Sequence, residues 1–445
     1  MMVLMRWFVD ACYLLAAILL WPVVLYRSLR TGKYRRDWGQ RVGGLPALPA
    51  GRPRVWIHAV SMGEVNSIRG MVAAWRARSP ETDLVISSTT DTGIDRARSL
   101  FGELTVVRYP LDFSLFVSRG LDRIRPTMVV LVELEVWHQF VTLAAARGIP
   151  VAVVNGRITA DRSLRWFRLV RPLSERMFAR LAWVGAQDEV YADRFRQVGV
   201  PPDRVSVTGS IKWDTARVAD SIPGTRELAR AMGLDPSRPT WVCGSTGPGE
   251  EKVVIQAFAK LLPQHPGLQL AIVPRKPERF EEAAATVRQA GFPCVRRSES
   301  PDGTERPAGD QAVLIGDTMG ELRKFYALAD VVFVGRTLAR MGGSDMMEVA
   351  ALARPIVVGA HTQNFADTMQ QLERADAVRR VQADLEDPGV VDALARAVGG
   401  LLDHPEAARR LADSGRQVVI QNRGATQRTL DSLMEIMQRA QHRPS

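Results

Sequence analysis

Cysteine is nearly missing from this chain: three in 445 residues, Cys12, Cys243 and Cys294, odd in number and far apart. They can build neither a disulfide framework nor a zinc motif, which places the bulk of the chain in a reducing compartment. No G-x-G-x-x-G follows a strand pattern, so the nicotinamide and flavin fingerprint is absent. There is no short-period repeat, no recognisable nucleic-acid module and no carboxylate motif for a metal. Acidic residues are in deficit, 48 Asp and Glu against 59 Lys and Arg, for a net charge of +11. That excess suits an anionic partner, either nucleic acid or a membrane surface. Apolar content is 46%, ordinary for a globular protein, and the length allows two or three domains.

One long hydrophobic run favours the membrane. Trp7 to Tyr26 is mostly apolar and long enough to cross a hydrocarbon core, with Trp7, Trp21 and Tyr26 near its ends like an interfacial belt. A signal peptide is the competing reading, but no small-x-small cleavage site follows. Asp10, inside the run, keeps a buried helix in contention. The basic residues after it, Arg27, Arg30, Lys33, Arg35, Arg36 and Arg41, put the body of the protein on the cytoplasmic side and the N-terminus outside. Residues 1–34 are thus expected to form a single membrane anchor with a basic flank.

Strand and helix patterns then alternate, twice over. Val55–Val60, Leu84–Ser88, Thr105–Val107, Met128–Val132, Val151–Val154, Ala182–Val184 and Val205–Val207 are strand-like, with helical spacing between them. After a Pro/Gly-rich stretch come Thr240–Cys243, Gln269–Val273, Ala312–Ile315, Val331–Val334 and Ile356–Val358. This is the pattern of mostly parallel sheets covered on both faces. The expected domains are 35–216, a linker at 217–239, and 240–445 with a helical C-terminal segment from about Val390. Between Arg157 and Arg180, arginines interleave with Trp166, Phe167 and Leu169, a surface suited to anionic lipid.

Polar chemistry gathers where strands end. His58, Ser61 and Glu64 follow the first run, with Gly63 read as a tight turn before a helix in which Val65, Ile68, Met71, Val72 and Trp75 recur at helical spacing. Taken alone, Glu64 is a first-turn carboxylate complementing the helix dipole. Glu133 and Glu135 follow Met128–Val132 in the same position, and two such edges suggest a cleft. In the second half, Gly244-Ser-Thr-Gly-Pro-Gly249 sits at a helix start, where backbone N–H groups hold phosphates. Glu250 and Glu251 stand where a P-loop needs Lys and Ser/Thr, which argues against an ATPase. Arg275 ends another strand as a donor to a base or phosphate. Glu321 and Glu348 begin helices after two more, placed for a ribose diol.

These residues carry a resemblance. H-A-V-S-M-G-E (58–64), T-D-T-G (90–93), E-L-E-V-W (133–137), N-G-R-I-T (155–159), G-S-I-K-W-D (209–214), G-S-T-G-P-G-E-E (244–251), V-P-R-K-P-E-R-F (273–280), G-D-T-M-G-E-L (316–322) and H-T-Q-N-F (361–365) stand in order. The chain resembles the 3-deoxy-D-manno-octulosonic acid (Kdo) transferases of lipopolysaccharide synthesis. The resemblance implies an α/β fold of the GT-B class: two Rossmann-like, doubly wound domains facing a cleft, with an N-terminal anchor. It implies Kdo transfer from CMP-Kdo to a lipid A precursor at the inner membrane, with inversion, and without metal, cofactor or nucleic acid. Glu64 falls on the catalytic base, and His58, Ser61, Gly63, Glu133, Glu135 and Arg157 on the acceptor side. The donor set is Lys212, Ser245, Thr246, Pro274, Arg275, Met319, Gly320, Glu321, Asp345 and Glu348.

One block departs from the family pattern Gly-Gly-x-Asn-x-x-Glu: Asp345, after Ser344, replaces a neutral amide. Beside an anionic donor it is expected to pair with Arg336 or Arg340. Another nucleotide sugar, in a UDP-sugar transferase or epimerase, is the alternative enzyme; a basic membrane tether or nucleic-acid binder is the non-enzymatic one.

Overall fold

A computed structural model of the chain describes residues 2–32, 35–299 and 311–441. Lys33 and most of the polar loop expected at 297–311 lie outside the described residues. The chain divides into two compact units: Met1–Thr215 with Asn422–Ser445, and Ala216–Gln421.

The first unit holds seven strands: β1 Arg54–His58, β2 Asp83–Ser88, β3 Thr105–Arg108, β4 Met128–Val132, β5 Val151–Gly156, β6 Trp183–Ala186 and β7 Val205–Val207. They lie in the order β3-β2-β1-β4-β5-β6-β7, and every pairing is parallel. Each of the strands β1, β4 and β5 is buried along its whole length. Their continuous apolar runs follow from helices on both faces. One core, around Trp56, Phe140 and Phe178, fills one face; the other forms around Ile57, Met71 and Trp75.

The second unit repeats the plan with β8 Thr240–Thr246, β9 Gln269–Pro274, β10 Cys294–Arg296, β11 Val313–Ile315, β12 Val331–Val334, β13 Ile356–Val358 and β14 Arg379–Arg380. Their order is β10-β11-β9-β8-β12-β13-β14, again all parallel. The two strands that the sequence pattern does not show, β10 and β14, are the edges of this sheet. They are two or three residues long and half-buried, so they need no apolar run.

Two boundaries differ from the sequence-based expectation. Residues 217–239 do not form a free linker but lie within the second unit, where Leu228, Ala231 and Met232 of the helix Thr225–Met232 are buried. The terminal helix Ala425–Gln441 belongs to the first unit, not the second. Its Leu430 and Leu433 pack into the core of Met71 and Trp75. The Asp214 carboxylate accepts from Gly424 N and Thr426 N, both at 2.6 Å, capping the helix start.

The N-terminal helix, Met2–Thr31, contains the only stretch among the described residues long and apolar enough to cross a membrane, Met5–Arg30. It is compatible with a membrane anchor.

Candidate active site

In the first unit the acids collect at the carboxyl edge of the sheet, after the adjacent strands β1 and β4. Ser61 caps the helix Met62–Ser67, accepting from Glu64 N at 3.3 Å. Glu64 reaches back: one carboxylate oxygen accepts from Val60 N and the other from the Ser61 hydroxyl, both at 2.9 Å. This is close to a capping box, so the bland role is real. It also fixes the carboxylate at the strand end. Burial raises the Glu64 pKa; the Val60 N–H pulls it back and the Glu133 charge adds to the rise. The helix dipole alone acts in the opposite sense.

Glu133 sits in the left-handed region at φ 60°. Its Oε1 accepts from Lys212 Nζ at 2.9 Å and from Asn155 Nδ2 at 3.5 Å. Asn155, also left-handed at φ 53°, accepts from Ile211 N at 3.2 Å. Lys212, expected among the donor contacts, here neutralises an acid of its own unit. Glu135 is held by Trp137 Nε1 at 3.0 Å and forms no ion pair among the described residues. Burial, then the Glu64 charge, pushes it up to about 7. The three carboxylates thus differ: Glu133 is paired, whereas Glu64 and Glu135 are both raised by burial and are both candidates for a base near neutrality.

Two of the expected acceptor-side residues have other roles. His58 is fully buried, stacked on Tyr109 at 3.7 Å between centroids and bonded through Nδ1 to Ser87 Oγ at 3.0 Å. Burial, opposed only by the Ser87 carbonyl, lowers its pKa to about 3, so it stays neutral and positions β1 against β2. Gly63 is not a turn but part of the first helical turn, and a Cβ there would meet only Ser61 Oγ at 3.7 Å. Arg157 follows β5 directly and is half-buried.

In the second unit the loops after β8, β9, β11 and β12 carry the expected donor residues. Ser245 is left-handed at φ 56° and buried. The strand ends touch so closely that a Cβ on Gly335 would lie 2.5 Å from Thr246 Cα, and one on Gly244 would lie 2.3 Å from the Tyr326 hydroxyl. Neither space admits a side chain. Thr246 donates to Glu251 at 2.8 Å, and Glu251 is clamped by Arg279 at 2.8 and 3.0 Å. Glu250 is fully buried and accepts from Gly247 N at 2.8 Å, Arg336 N at 2.6 Å, Leu338 N at 2.9 Å and Ala339 N at 3.2 Å. The paired acids that argue against a triphosphate are therefore brackets between loops.

Arg275 is exposed at the end of β9, just after buried Pro274. Met319 is 66% exposed, and Gly320 stands in open space at φ 88°. Glu321 is engaged rather than free. Burial opposes its charge, but Thr318, Lys324 and Arg297 outweigh burial and bring the pKa down to about 2. Glu348 is half-buried and raised by that burial, with Arg323 and Arg275 drawing it back.

Asp345 corrects the expected pairing. Arg340 binds Glu386 at 2.7 Å and Asp384 at 3.4 Å, and the Arg336 backbone serves Glu250. Asp345 instead accepts from Met347 N at 2.8 Å. Burial and the neighbouring Glu348 push it up to about 7, against the pull of Met347 N and Arg275. No ion pair with Asp345 is present among the described residues, and its burial favours the protonated form.

Two all-parallel, doubly wound units in one chain, each with a seven-stranded sheet, define the GT-B fold. The same fold occurs in UDP-GlcNAc 2-epimerase from Neisseria meningitidis, which has a TM-score of 0.53 and 13% identity over 86% of this chain and 100% of that one. A glycosyltransferase from Rickettsia africae gives 0.53 and 11% over 89% and 100%. Sequence separates what fold does not. A family model described as 3-deoxy-D-manno-octulosonic-acid transferase (kdotransferase) matches residues 36–215. The 3-deoxy-D-manno-octulosonic acid transferase of Haemophilus influenzae is 30% identical over 98% of this chain and 99% of its own. That of Bordetella pertussis is 34% identical over 88% and 89%. The chain belongs to the Kdo transferase family.

Proposed function

We propose that this enzyme transfers Kdo from CMP-Kdo to a hydroxyl of a lipid A precursor in lipopolysaccharide synthesis, with inversion and without a metal. The observation that carries the reading is the division of labour among the acids. Glu133 is neutralised by Lys212 while burial raises both Glu64 and Glu135, and Glu64 is the one whose carboxylate is fixed at the strand end by Val60 N and the Ser61 hydroxyl. A base for the acceptor hydroxyl and a cation for the departing phosphate are what the chemistry needs. Arg275 is that cation; Ser245, Thr246 and the open backbone at Gly320 line the donor. The body works at the cytoplasmic face of the inner membrane, where anionic lipid meets the basic surface. Incubation with CMP-Kdo and lipid A precursor should give a product heavier by Kdo in a mass spectrum. A product only with a UDP-sugar would overturn the assignment.

Two variants test the donor side by calorimetric titration with CMP. Arg275→Ala should weaken binding by about 1.5–3 kcal/mol, the scale of a lost charge-assisted hydrogen bond. Unchanged affinity would remove Arg275 from the site. Asp345 is neutral below about pH 7 and anionic above it. Like charges about 5 Å apart at an effective dielectric of 20 repel by ~3 kcal/mol. Wild-type affinity should therefore fall as pH rises through 7 to 8. Asp345→Asn can keep the Met347 N–H bond and should flatten that dependence. A large loss of affinity at pH 6 in this variant would mean that the acid contacts the donor directly.

A further inference from the structure

The hydrophobic run alone reads as a membrane span with the N-terminus outside. The helix Met2–Thr31 is tied to the first unit in the first turns of its apolar stretch, and the chain is tied to that unit again just after the helix ends. Near its start, Asp10 accepts from Ser114 N and from Gln139 Nε2, both at 2.9 Å. Gln139 Nε2 also donates to Arg6 O at 2.8 Å. Tyr13 donates to Asp112 at 3.0 Å, and Val9 is buried. Soon after its end, Arg36 grips both oxygens of Asp95 at 2.9 Å. Asp37 accepts from the buried Arg108 at 2.8 Å, and Gln40 accepts from Arg108 N at 2.7 Å.

At 1.5 Å per residue, Asp10 to Thr31 covers about 32 Å, roughly the thickness of a hydrocarbon core. From Thr31 the chain reaches Arg36 in five residues, at most about 18 Å. A helix crossing the bilayer would put Asp10 and Thr31 on opposite sides of it. Yet the partners of Asp10 and of Arg36 belong to one compact body. The helix must then run along that body. Shielding is confined to a few positions: beyond Tyr13, Val24 and Ser28 are the half-buried ones among the described side chains, while Leu20 on the same stripe is 57% exposed. The other faces are bare and aliphatic, with Leu14, Ile18, Leu19, Trp21 and Leu25 between 44% and 69% exposed.

We propose that this helix does not cross the membrane but lies in its near leaflet. It presents the Leu14–Leu25 face to the acyl chains and Arg30 and Arg35 to anionic headgroups. Both of its ends stay on the side of the catalytic body. Where the proposed function puts that body on the cytoplasmic face, the N-terminus is there too.

The test is cysteine accessibility of the full-length enzyme in membranes, in a Cys12→Ser, Cys294→Ser background. Met2→Cys reports the N-terminus and Glu103→Cys the body, each challenged with a membrane-impermeant maleimide in intact and lysed spheroplasts. Both positions should respond alike, with labelling lost in intact spheroplasts and regained on lysis. If both label in intact spheroplasts, the cytoplasmic placement of the body fails and the helix proposal stands. Labelling of position 2 but not 103 in intact spheroplasts would overturn it. A second measurement guards the first: Asp10→Cys with Ser114→Cys should form an intramolecular cross-link in membranes. A folded, active double variant that never cross-links would equally overturn the proposal.

Discussion

Glu64→Gln is expected to lower turnover at least ~10²-fold, the usual scale for a lost general base, with CMP affinity unchanged. The two roles of this residue are separable because glutamine preserves one of them. Its carbonyl can still accept from Val60 N, and its amide can donate to Ser61 Oγ, restoring both contacts at the helix start. If Glu64 served only as a cap, even its complete loss would cost about 0.5–2 kcal/mol of stability and nothing in chemistry. A dead enzyme with a wild-type melting temperature therefore identifies a base; a fully active one sinks the assignment. The pH profile adds a second reading. A base must be ionised to act, and burial raises Glu64 from its ordinary value. The acidic limb of the wild-type rate should accordingly sit at higher pH than an exposed glutamate would give.

The role proposed for Glu64 beyond that of a cap was only partly legible in the sequence. The strand-to-helix transition was plain from Val55 to Trp75, because buried parallel strands show as apolar runs and the helix carries a 3.6-residue stripe. The second acid pair after β4 hinted at a cleft. What spacing could not show is which acids are neutralised. Lys212 lies 79 residues from Glu133, and only the sheet order β1-β4-β5-β6-β7 brings their strand ends together. Glycine and asparagine are the usual signs of left-handed backbone, so Asn155 could have been flagged; Glu133 at φ 60° could not.

The misreadings have physical causes too. His58 carries the polarity of a site residue, but Tyr109 and Ser87, distant in sequence, enclose it. Asp345 was expected to find Arg336 or Arg340 because they are near in sequence, whereas Arg340 turns to Asp384 and Glu386. The terminal helix looked like a continuation of the second unit. Its allegiance to the first is decided by Leu430 and Leu433 and by the Asp214 cap, none of which has a local signature.

Glu250→Ala is expected to destabilise the second unit by at least ~3 kcal/mol, since a buried donor left without a partner costs about 1–3 kcal/mol and this carboxylate serves four. Gly247, Arg336, Leu338 and Ala339 all donate to it, and the residue is fully buried. For a unit of this size each kcal/mol lowers the melting temperature by about 2–4 °C, so a drop of roughly 6–12 °C or more is the expected result. Burial raises the Glu250 pKa while the four N–H groups draw it down; the negative charge those donors solicit is supplied from inside the protein. That explains why acids stand where a P-loop needs a cation. Gly335, just after β12, lets the backbone approach Thr246 at the end of β8, and Glu250 ties the two loops into one rigid edge. Glu250→Gln should fall between wild type and alanine, because one amide oxygen remains to accept while the NH₂ opposes the remaining donors. CMP affinity should drop along with stability, because Ser245 and Thr246 lose the bracket that holds their loop. If Glu250→Ala melts with the wild type by calorimetry, the bracket is not what holds these loops, and the pre-formed donor edge argued from it fails as well.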